Sequence, residues 1–185
     1  MSWNEEIKKD LGYCGENVFI GHNTIFTNPS QVFLGDRVRI DPFCLITTGL
    51  TTGNNIQITS HCILGGGKNH IITLGDWCFI GYGSKLFCAS EDYSGDHGPV
   101  NEFWGSNKIF RGDIRLENFS GVASDVIVMP NIILPEGCTI GAKSFVYKSD
   151  NLTPWSVWIG NPLQLHKARN RKAIEDFSKD ANWLK

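Results

Sequence analysis

The stretch LENFSGVASDVIVMPNIILPEGCTIGAKSFV, residues 116–146, decides the fold, because every sixth residue in it is aliphatic. The series is Leu116, Val122, Val128, Leu134, Ile140 and Val146. A period of six matches neither the alternation of a strand nor the turn of an α-helix. It predicts a repeating unit of one short strand and one turn, with one inward aliphatic residue per strand. Three units would make one triangular coil, and stacked coils would bury the aliphatic residues on one another.

The same period extends toward the N-terminus in shorter series, with one break at Thr52 and small insertions near Pro29 and near residues 65–69. These series comprise Ile20, Phe26, Leu34, Ile40, Ile46, Thr52, Ile58, Leu64, Leu74, Ile80 and Leu86. Glycine often follows the aliphatic residue, which suggests a turn that tolerates or requires it. A small or β-branched residue often stands four positions after it. About six coils fit between Ile20 and Val146, so we expect an all-β protein built as a parallel β-helix.

The period also accounts for most of the six cysteines. Cys44, Cys62, Cys78 and Cys138 each stand four positions after a ladder residue, where a small inward side chain is expected. Buried free cysteine behaves as a small hydrophobic residue. No C-x-x-C motif occurs. We therefore expect reduced, buried thiols and no metal site.

Composition and the chain ends set the remaining outline. The 185 residues fit one domain with a small appendage, and a net charge of −2 excludes a strongly basic nucleic-acid-binding protein. The sequence has neither a secretory h-region nor an apolar span, so we expect a cytoplasmic protein without a membrane span. A capping box at Ser2 predicts a short helix over 2–11. Helical spacing near the C-terminus predicts a helix in 164–185, after a β-helix domain over 1–163.

The hexapeptide pattern resembles the left-handed parallel β-helix acyltransferases over about residues 18–170. Three segments are similar to its sugar acetyltransferase branch: FCASEDYSG (87–95), LPEGCTIGAKSFVYKSD (134–150) and WIGNPLQLHKAR (158–169). The first resembles sequences in surface-polysaccharide acetyltransferases, and the other two resemble galactoside-type enzymes. The left-handedness of the helix is implied by this resemblance alone.

The resemblance implies an acetyl-CoA-dependent O-acetyltransferase that acts on a sugar or saccharide, in bacterial surface-polysaccharide biosynthesis. It also implies a homotrimer with coenzyme A and acceptor bound between subunits. An alternative is an N-acetyltransferase of a nucleotide-linked amino sugar, since an amine attacks a thioester with less help from a base. More distant alternatives are a γ-type carbonic anhydrase-like protein, whose His-x4-His pair is missing here, and a non-enzymatic β-helix.

The ladder is interrupted between Leu86 and Leu116, which predicts a long loop over 87–115. Loops of this length in compact proteins usually have a function. In the resembling enzymes such a loop carries a catalytic histidine. Counting backward from Leu116 places that histidine at His97, whereas counting forward from Leu86 places it at Glu91, with Asp92 beside it. Free imidazole titrates near neutral pH and suits a general base, so we favour His97 and keep Glu91 and Asp92 as alternatives.

The resemblance further implies binding residues. For the acceptor it implies His61 and Asn69, and Trp104 in the loop is a further candidate. For coenzyme A it implies small residues that let pantetheine approach the backbone, and cations for the phosphates. These residues are Ser124, Ala142, Lys148, Lys167 and Arg169.

Overall fold

A computed structural model describes residues 3–67, 69–94 and 108–180. The coils contribute strands to three parallel sheets. The first sheet comprises β1 (Tyr13–Cys14), β4 (Val32–Leu34), β7 (Gly49–Thr52), β10 (Ile71–Leu74), β15 (Ile114–Leu116) and β18 (Ile133–Leu134). The second comprises β2 (Phe19–Ile20), β5 (Val38–Ile40), β8 (Ile56–Ile58), β11 (Phe79–Ile80), β16 (Gly121–Val122), β19 (Thr139–Ile140), β21 (Ser156–Ile159) and β22 (Gln164–Ala168). The third comprises β3 (Ile25–Phe26), β6 (Leu45–Ile46), β9 (Ile63–Gly65), β12 (Lys85–Phe87), β17 (Ile127–Val128) and β20 (Phe145–Val146).

This architecture confirms the predicted parallel β-helix. Ladder residues pair with ladder residues of the next coil, as Val122 does with Ile140 and Val128 with Val146. Leu34, Ile58, Leu86, Leu116 and Val128 are all 0% exposed, and Thr52, the break in the series, is also buried. Burying such aliphatic side chains contributes about 1.5–3 kcal/mol each. The column they form is the hydrophobic core, and six full coils precede β21.

The glycines after the ladder residues have a different role from the one expected. They do not adopt positive φ; that conformation falls mainly on other corner residues, among them Asn55, Trp77 and His61. Instead, the glycines lie where consecutive coils touch. A Cβ added to Gly81 would come within 2.5 Å of the carbonyl carbon of Ala123 in the next coil. Close backbone approach, rather than the turn itself, therefore selects glycine here.

The cysteines occupy the predicted inward slots. Cys44, Cys62, Cys78 and Cys138 are at most 2% exposed, and all six cysteines are free thiols. Burial raises the pKa of Cys78 and of Cys138 to about 11. These thiols therefore stay protonated and unreactive at neutral pH, as expected of core residues.

The ends are partly as predicted. Helix α1 spans Trp3–Lys8, within the predicted 2–11. Near the C-terminus, helix α2 spans Arg171–Lys179, but residues 164–168, placed in the helical segment by the sequence, form β22, which pairs antiparallel with β21. Pairing with the last coil covers the open edge of the second sheet, a need that helical spacing does not reveal. In the described part of the chain, no helix is long and apolar enough to cross a bilayer.

The corner between the third and first sheets differs from the other two corners. It carries the 3₁₀ turn Pro29–Gln31, the turn at 66–70, and the departure of the chain between β12 and β15. The other two corners repeat one conformation, with a residue of positive φ in every coil. We call this third, irregular corner the insertion corner.

Candidate active site

The long excursion leaves the stack as a two-stranded antiparallel ribbon. It consists of β13 (Ala89–Glu91) and β14 (Ile109–Arg111), with Ala89 opposite Arg111 and Glu91 opposite Ile109. The amide of Cys88 donates to the carbonyl of Gly65, 2.7 Å away, and the amide of Gly112 donates to Cys88. The base of the ribbon is thereby fixed to the insertion corner. The predicted loop over 87–115 thus begins and ends in ordered β structure.

A large cleft lies between the ribbon and the third sheet, with a volume of about 970 Å³. We call it the apolar cleft because hydrophobic and aromatic side chains supply most of its lining. Its lining residues are Phe87, Ala89, Ser90, Glu91, Tyr93, Phe110, Arg111, Met129, Pro130, Asn131, Phe145 and Tyr147. A concave apolar wall with a few polar groups is typical of sites for small organic ligands.

A second cleft of about 430 Å³ lies at the turn before β10. Its lining includes Gly67, Asn69, His70, Glu91 and Arg111. We call it the polar cleft, since amide, imidazole, carboxylate and guanidinium groups meet there. Glu91 and Arg111 line both clefts. The ribbon therefore forms a wall that the two clefts share.

The side chains of His70 and Asp113 are in contact at the insertion corner. The Nδ1 atom of His70 lies 3.3 Å from Oδ1 of Asp113, which also accepts a hydrogen bond from the amide of Ile71 at 3.0 Å. The His70 side chain is only 17% exposed, whereas that of Asp113 is 60% exposed. The carbonyl of His70 accepts hydrogen bonds from the Thr48 hydroxyl and the Gly49 amide. The contact with Asp113 thus orients the ring, and the two hydrogen bonds to the carbonyl fix the backbone that carries it.

The three predicted bases have different outcomes. Glu91 lies in β13 and lines both clefts. The side chain of Asp92 accepts a hydrogen bond from the amide of Ser94 at 3.0 Å, a local turn contact, and is not part of either lining. His97 lies outside the described residues. Its role as a base stays a prediction.

Within one copy of the chain, the two predicted acceptor residues that the structure describes, His61 and Asn69, lie at different corners. Asn69 lies at the insertion corner and lines the polar cleft. His61 occupies the corner between the second and third sheets with a φ of 62°, and its ring stacks on Phe43 at 5.3 Å. Trp104 lies outside the described residues. Of the three, Asn69 is the one that the structure places beside the ribbon.

Ser124 and Ala142 take the stacked positions expected from their spacing. They follow Val122 and Ile140, which pair in register, and the amide of Lys143 donates to the Ser124 carbonyl at 3.0 Å. Lys148 is fully exposed beside a small cleft, with its ammonium 5.0 Å from the centre of the Tyr147 ring. A hydrogen bond with Tyr147 raises the pKa of Lys148, so it is a cation at neutral pH.

The other two predicted cations differ from each other. Lys167 lies in β22 and is exposed. Arg169 is half-buried, and its Nη1 donates to the carbonyls of Phe119 and Gly137 at a corner of the stack. Burial lowers the pKa of Arg169, yet guanidinium stays charged at neutral pH. Arg169 thus binds corner carbonyls, and the proposed contact of either residue with a phosphate stays a prediction.

The His70–Asp113 pair was not identified from the sequence. His70 and Asp113 are separated by the whole excursion, so no local spacing connects them. The sequence did offer one signal: His70 stands directly before β10, the last strand of the first sheet before the interruption. Stacking the coils across the interruption places Asp113, directly before β15, beside it.

Comparisons with known proteins agree on an acyl-transfer chemistry. The chain is 30% identical over 184 residues to a dTDP-4-amino-4,6-dideoxy-D-glucose acyltransferase from Escherichia coli, covering 95% of this chain and 93% of the relative. It is 26% identical over 151 residues to a probable macrolide acetyltransferase from Lysinibacillus sphaericus, covering 82% of this chain and 71% of the relative. No family model matches the chain.

Solved structures give the same result. The chain is similar to AntD, an N-acyltransferase from Bacillus cereus in complex with dTDP and 3-hydroxybutyryl-CoA, with a TM-score of 0.88 and 28% identity over 100% of this chain and 97% of AntD. An AntD mutant in complex with dTDP-4-amino-4,6-dideoxyglucose and coenzyme A gives a TM-score of 0.86 and 29% identity, covering 97% of this chain and 95% of the mutant. A maltose O-acetyltransferase from Clostridium difficile gives a TM-score of 0.61 and 16% identity, covering 90% of this chain and 74% of that enzyme. This similarity shows the fold alone.

Proposed function

Since this chain belongs to the hexapeptide-repeat acyltransferases, we propose that it transfers an acyl group from a coenzyme A thioester to the amine of a nucleotide-linked amino sugar. The observation that carries this proposal is the match to the amino-sugar acyltransferase from Escherichia coli, which extends over nearly the whole of both chains. A dTDP-linked 4-amino sugar is the acceptor class we propose.

The comparisons favour N-acylation over the O-acetylation expected first from the sequence. The similarity to the N-acyltransferase AntD extends over the whole chain at 28% identity, whereas the sugar O-acetyltransferase shares 16% and supports only the fold. The matches to named acyltransferases leave no support for the carbonic anhydrase-like and non-enzymatic alternatives. Enzyme class and sugar acceptor therefore remain as expected, and we propose an amine rather than a hydroxyl as the nucleophile.

The two clefts suit the two substrates by their chemistry. The apolar cleft suits the pantetheine arm and acyl chain of an acyl-CoA, because aromatic and aliphatic side chains dominate its wall. The polar cleft offers an amide from Asn69 and a guanidinium from Arg111 to the hydroxyl groups and phosphates of a nucleotide sugar. We assign Ser124, Ala142, Lys148 and Lys167 to coenzyme A on the resemblance alone.

The test supplies purified protein with dTDP-4-amino-4,6-dideoxyglucose and, in parallel reactions, acetyl-CoA or 3-hydroxybutyryl-CoA. We expect release of free coenzyme A thiol, together with a product heavier by one acyl group. The same reactions with dTDP-glucose and with maltose provide hydroxyl acceptors as matched controls. Transfer to a hydroxyl acceptor, and not to the amino sugar, would instead establish the O-acetyltransferase.

We also propose the homotrimer and a role in surface-polysaccharide synthesis. Exposed aromatic and aliphatic residues on the outer faces of the coils, such as Phe19, Phe33 and Ile133, offer apolar surface for contact between copies of the chain. Light scattering of the purified protein measures the assembly. A monomer that retains full activity would contradict active sites formed between subunits.

A further inference from the structure

His70 differs from the other histidines whose surroundings the structure describes in detail. The rings of His22 and His61 both contact Phe43, an aromatic partner with no role in proton transfer. The ring of His70 instead contacts the Asp113 carboxylate and lines the polar cleft. An imidazole paired with a carboxylate at the wall of a cleft is a common arrangement for moving a proton.

The ring of His70 is positioned before any substrate arrives. Asp113 cannot swing away freely, because its Oδ1 atom also accepts the amide hydrogen of Ile71. On the other side, hydrogen bonds from Thr48 and Gly49 hold the His70 carbonyl. Folding has therefore already met the entropic cost of orienting the imidazole, which is what an efficient proton acceptor requires.

The contact with Asp113 also selects the tautomer. A carboxylate accepts hydrogen bonds, so the neutral ring carries its proton on Nδ1, facing Asp113. The lone pair then lies on Nε2. In this state the ring can accept one proton, and Asp113 stabilises the imidazolium that results.

We propose that His70, oriented by Asp113, accepts the proton that the acceptor amine loses during acyl transfer. The amine nitrogen attacks the thioester carbonyl carbon, a C–N bond forms and the C–S bond breaks. The proton moves from the nitrogen to Nε2 of His70. The ring then donates this proton to the departing coenzyme A thiolate, which becomes a thiol. The ring returns to its neutral state, so the step needs no other reactant. This inference rests on the proposed function and names one residue of that site.

The charges around His70 fit this cycle. In the described residues, the titratable and charged groups beside His70 are Asp113, which contacts its ring, and Glu91 and Arg111, which line the polar cleft with it. The two carboxylates favour a positively charged imidazole, and Arg111 opposes it. The attacking amine also becomes positive before it loses its proton, so the carboxylates favour this intermediate as well.

The main test replaces His70 with glutamine and measures transfer to dTDP-4-amino-4,6-dideoxyglucose at saturating acyl-CoA. Glutamine preserves polarity and size but cannot accept a proton near neutral pH. We expect kcat to fall about 100-fold or more, with KM changed by less than about threefold. His166→Gln, at an exposed histidine of β22, is the matched control and should retain wild-type kcat.

Two further variants separate catalysis from structure. His70→Ala should regain part of its activity when free imidazole is added, which a merely structural role for the ring would not produce. Asp113→Asn keeps the size of the side chain but removes its charge, so its kcat should lie between those of wild type and His70→Gln. Circular dichroism should show wild-type folding in every variant.

The outcomes distinguish the two proposals. If the wild type transfers no acyl group to any amino sugar, the proposed function fails, and this inference fails with it. If the wild type is active and His70→Gln retains its kcat, only the inference is overturned. A loss confined to KM, or no response of His70→Ala to imidazole, would also overturn it and leave His70 as a binding residue.

Discussion

Strands in the coils pair in parallel with the same register from one coil to the next, whereas β13 and β14 pair antiparallel outside the three sheets. In the coils the ladder residue Leu86 is 0% exposed, but each residue of β13 is partly exposed. A side chain in the stack is fixed by its neighbours above and below. The ribbon is free of that constraint, so its side chains can serve a cleft. Repetition supplies stability, and its one long interruption supplies the wall that the two clefts share.

The largest expected effect comes from breaking the stack itself. Leu86→Ala removes a fully buried side chain from the ladder just before the ribbon. We expect the free energy of unfolding to fall by about 2–5 kcal/mol, because the strand pairing on both sides prevents the coil from closing the cavity. Denaturant titration of the purified protein measures the change.

Leu165→Ala is the control for this first variant. It makes the same chemical change in β22, at a side chain that is 57% exposed. We expect a loss below about 1 kcal/mol there. Equal losses in the two variants would mean that the ladder does not supply the stability assigned to it.

A smaller effect separates two roles of glycine. Gly81 lies in the stack, where an added Cβ would collide with the backbone of Ala123. Gly67 lies at the insertion corner with a φ of 74° and nothing within 4 Å of an added Cβ. We expect Gly81→Ala to cost about 1–3 kcal/mol through the clash, and Gly67→Ala about 1 kcal/mol through its conformation alone. Denaturant midpoints of both variants test this order.

A reversed order would mean that the backbone conformation at Gly67 costs more than the close approach of two coils at Gly81. The two variants thus separate Gly81, which is required by its neighbours, from Gly67, which is required by its own φ.

The sequence predicted the features that recur in every coil, but not the contacts and elements that lie outside the repeat. The ladder, the inward cysteines and the position of the excursion follow from one period, because every coil poses the same packing problem. Two contacts could not be predicted without knowing how the coils stack in three dimensions. The pairing of His70 with Asp113 joins residues on either side of the excursion, and Arg169 meets carbonyls from two different coils. Local spacing carries no information about such contacts. The sequence of β22 likewise does not distinguish a strand that covers a sheet edge from the first turns of a helix.

The smallest effect on stability, with a large effect on activity, is expected at Glu91. The variant Glu91→Gln keeps the shape of the side chain in β13 and removes the carboxylate charge from both clefts. Because Glu91 is partly exposed and outside the ladder, we expect the free energy of unfolding to change by less than about 0.5 kcal/mol. Turnover should nevertheless fall about tenfold, since the carboxylate favours the positive charge that develops on the amine.

Asp92→Asn provides the contrast to Glu91→Gln, one residue further along the ribbon. The Asp92 carboxylate contacts the Ser94 amide and is not part of the lining of either cleft, so its neutralisation should reduce turnover less. Steady-state kinetics and thermal melts on the same preparations measure both effects. A larger loss of turnover at Asp92 than at Glu91 would assign the chemistry to the far end of the ribbon. It would then favour His97, the base first expected from the sequence, over His70.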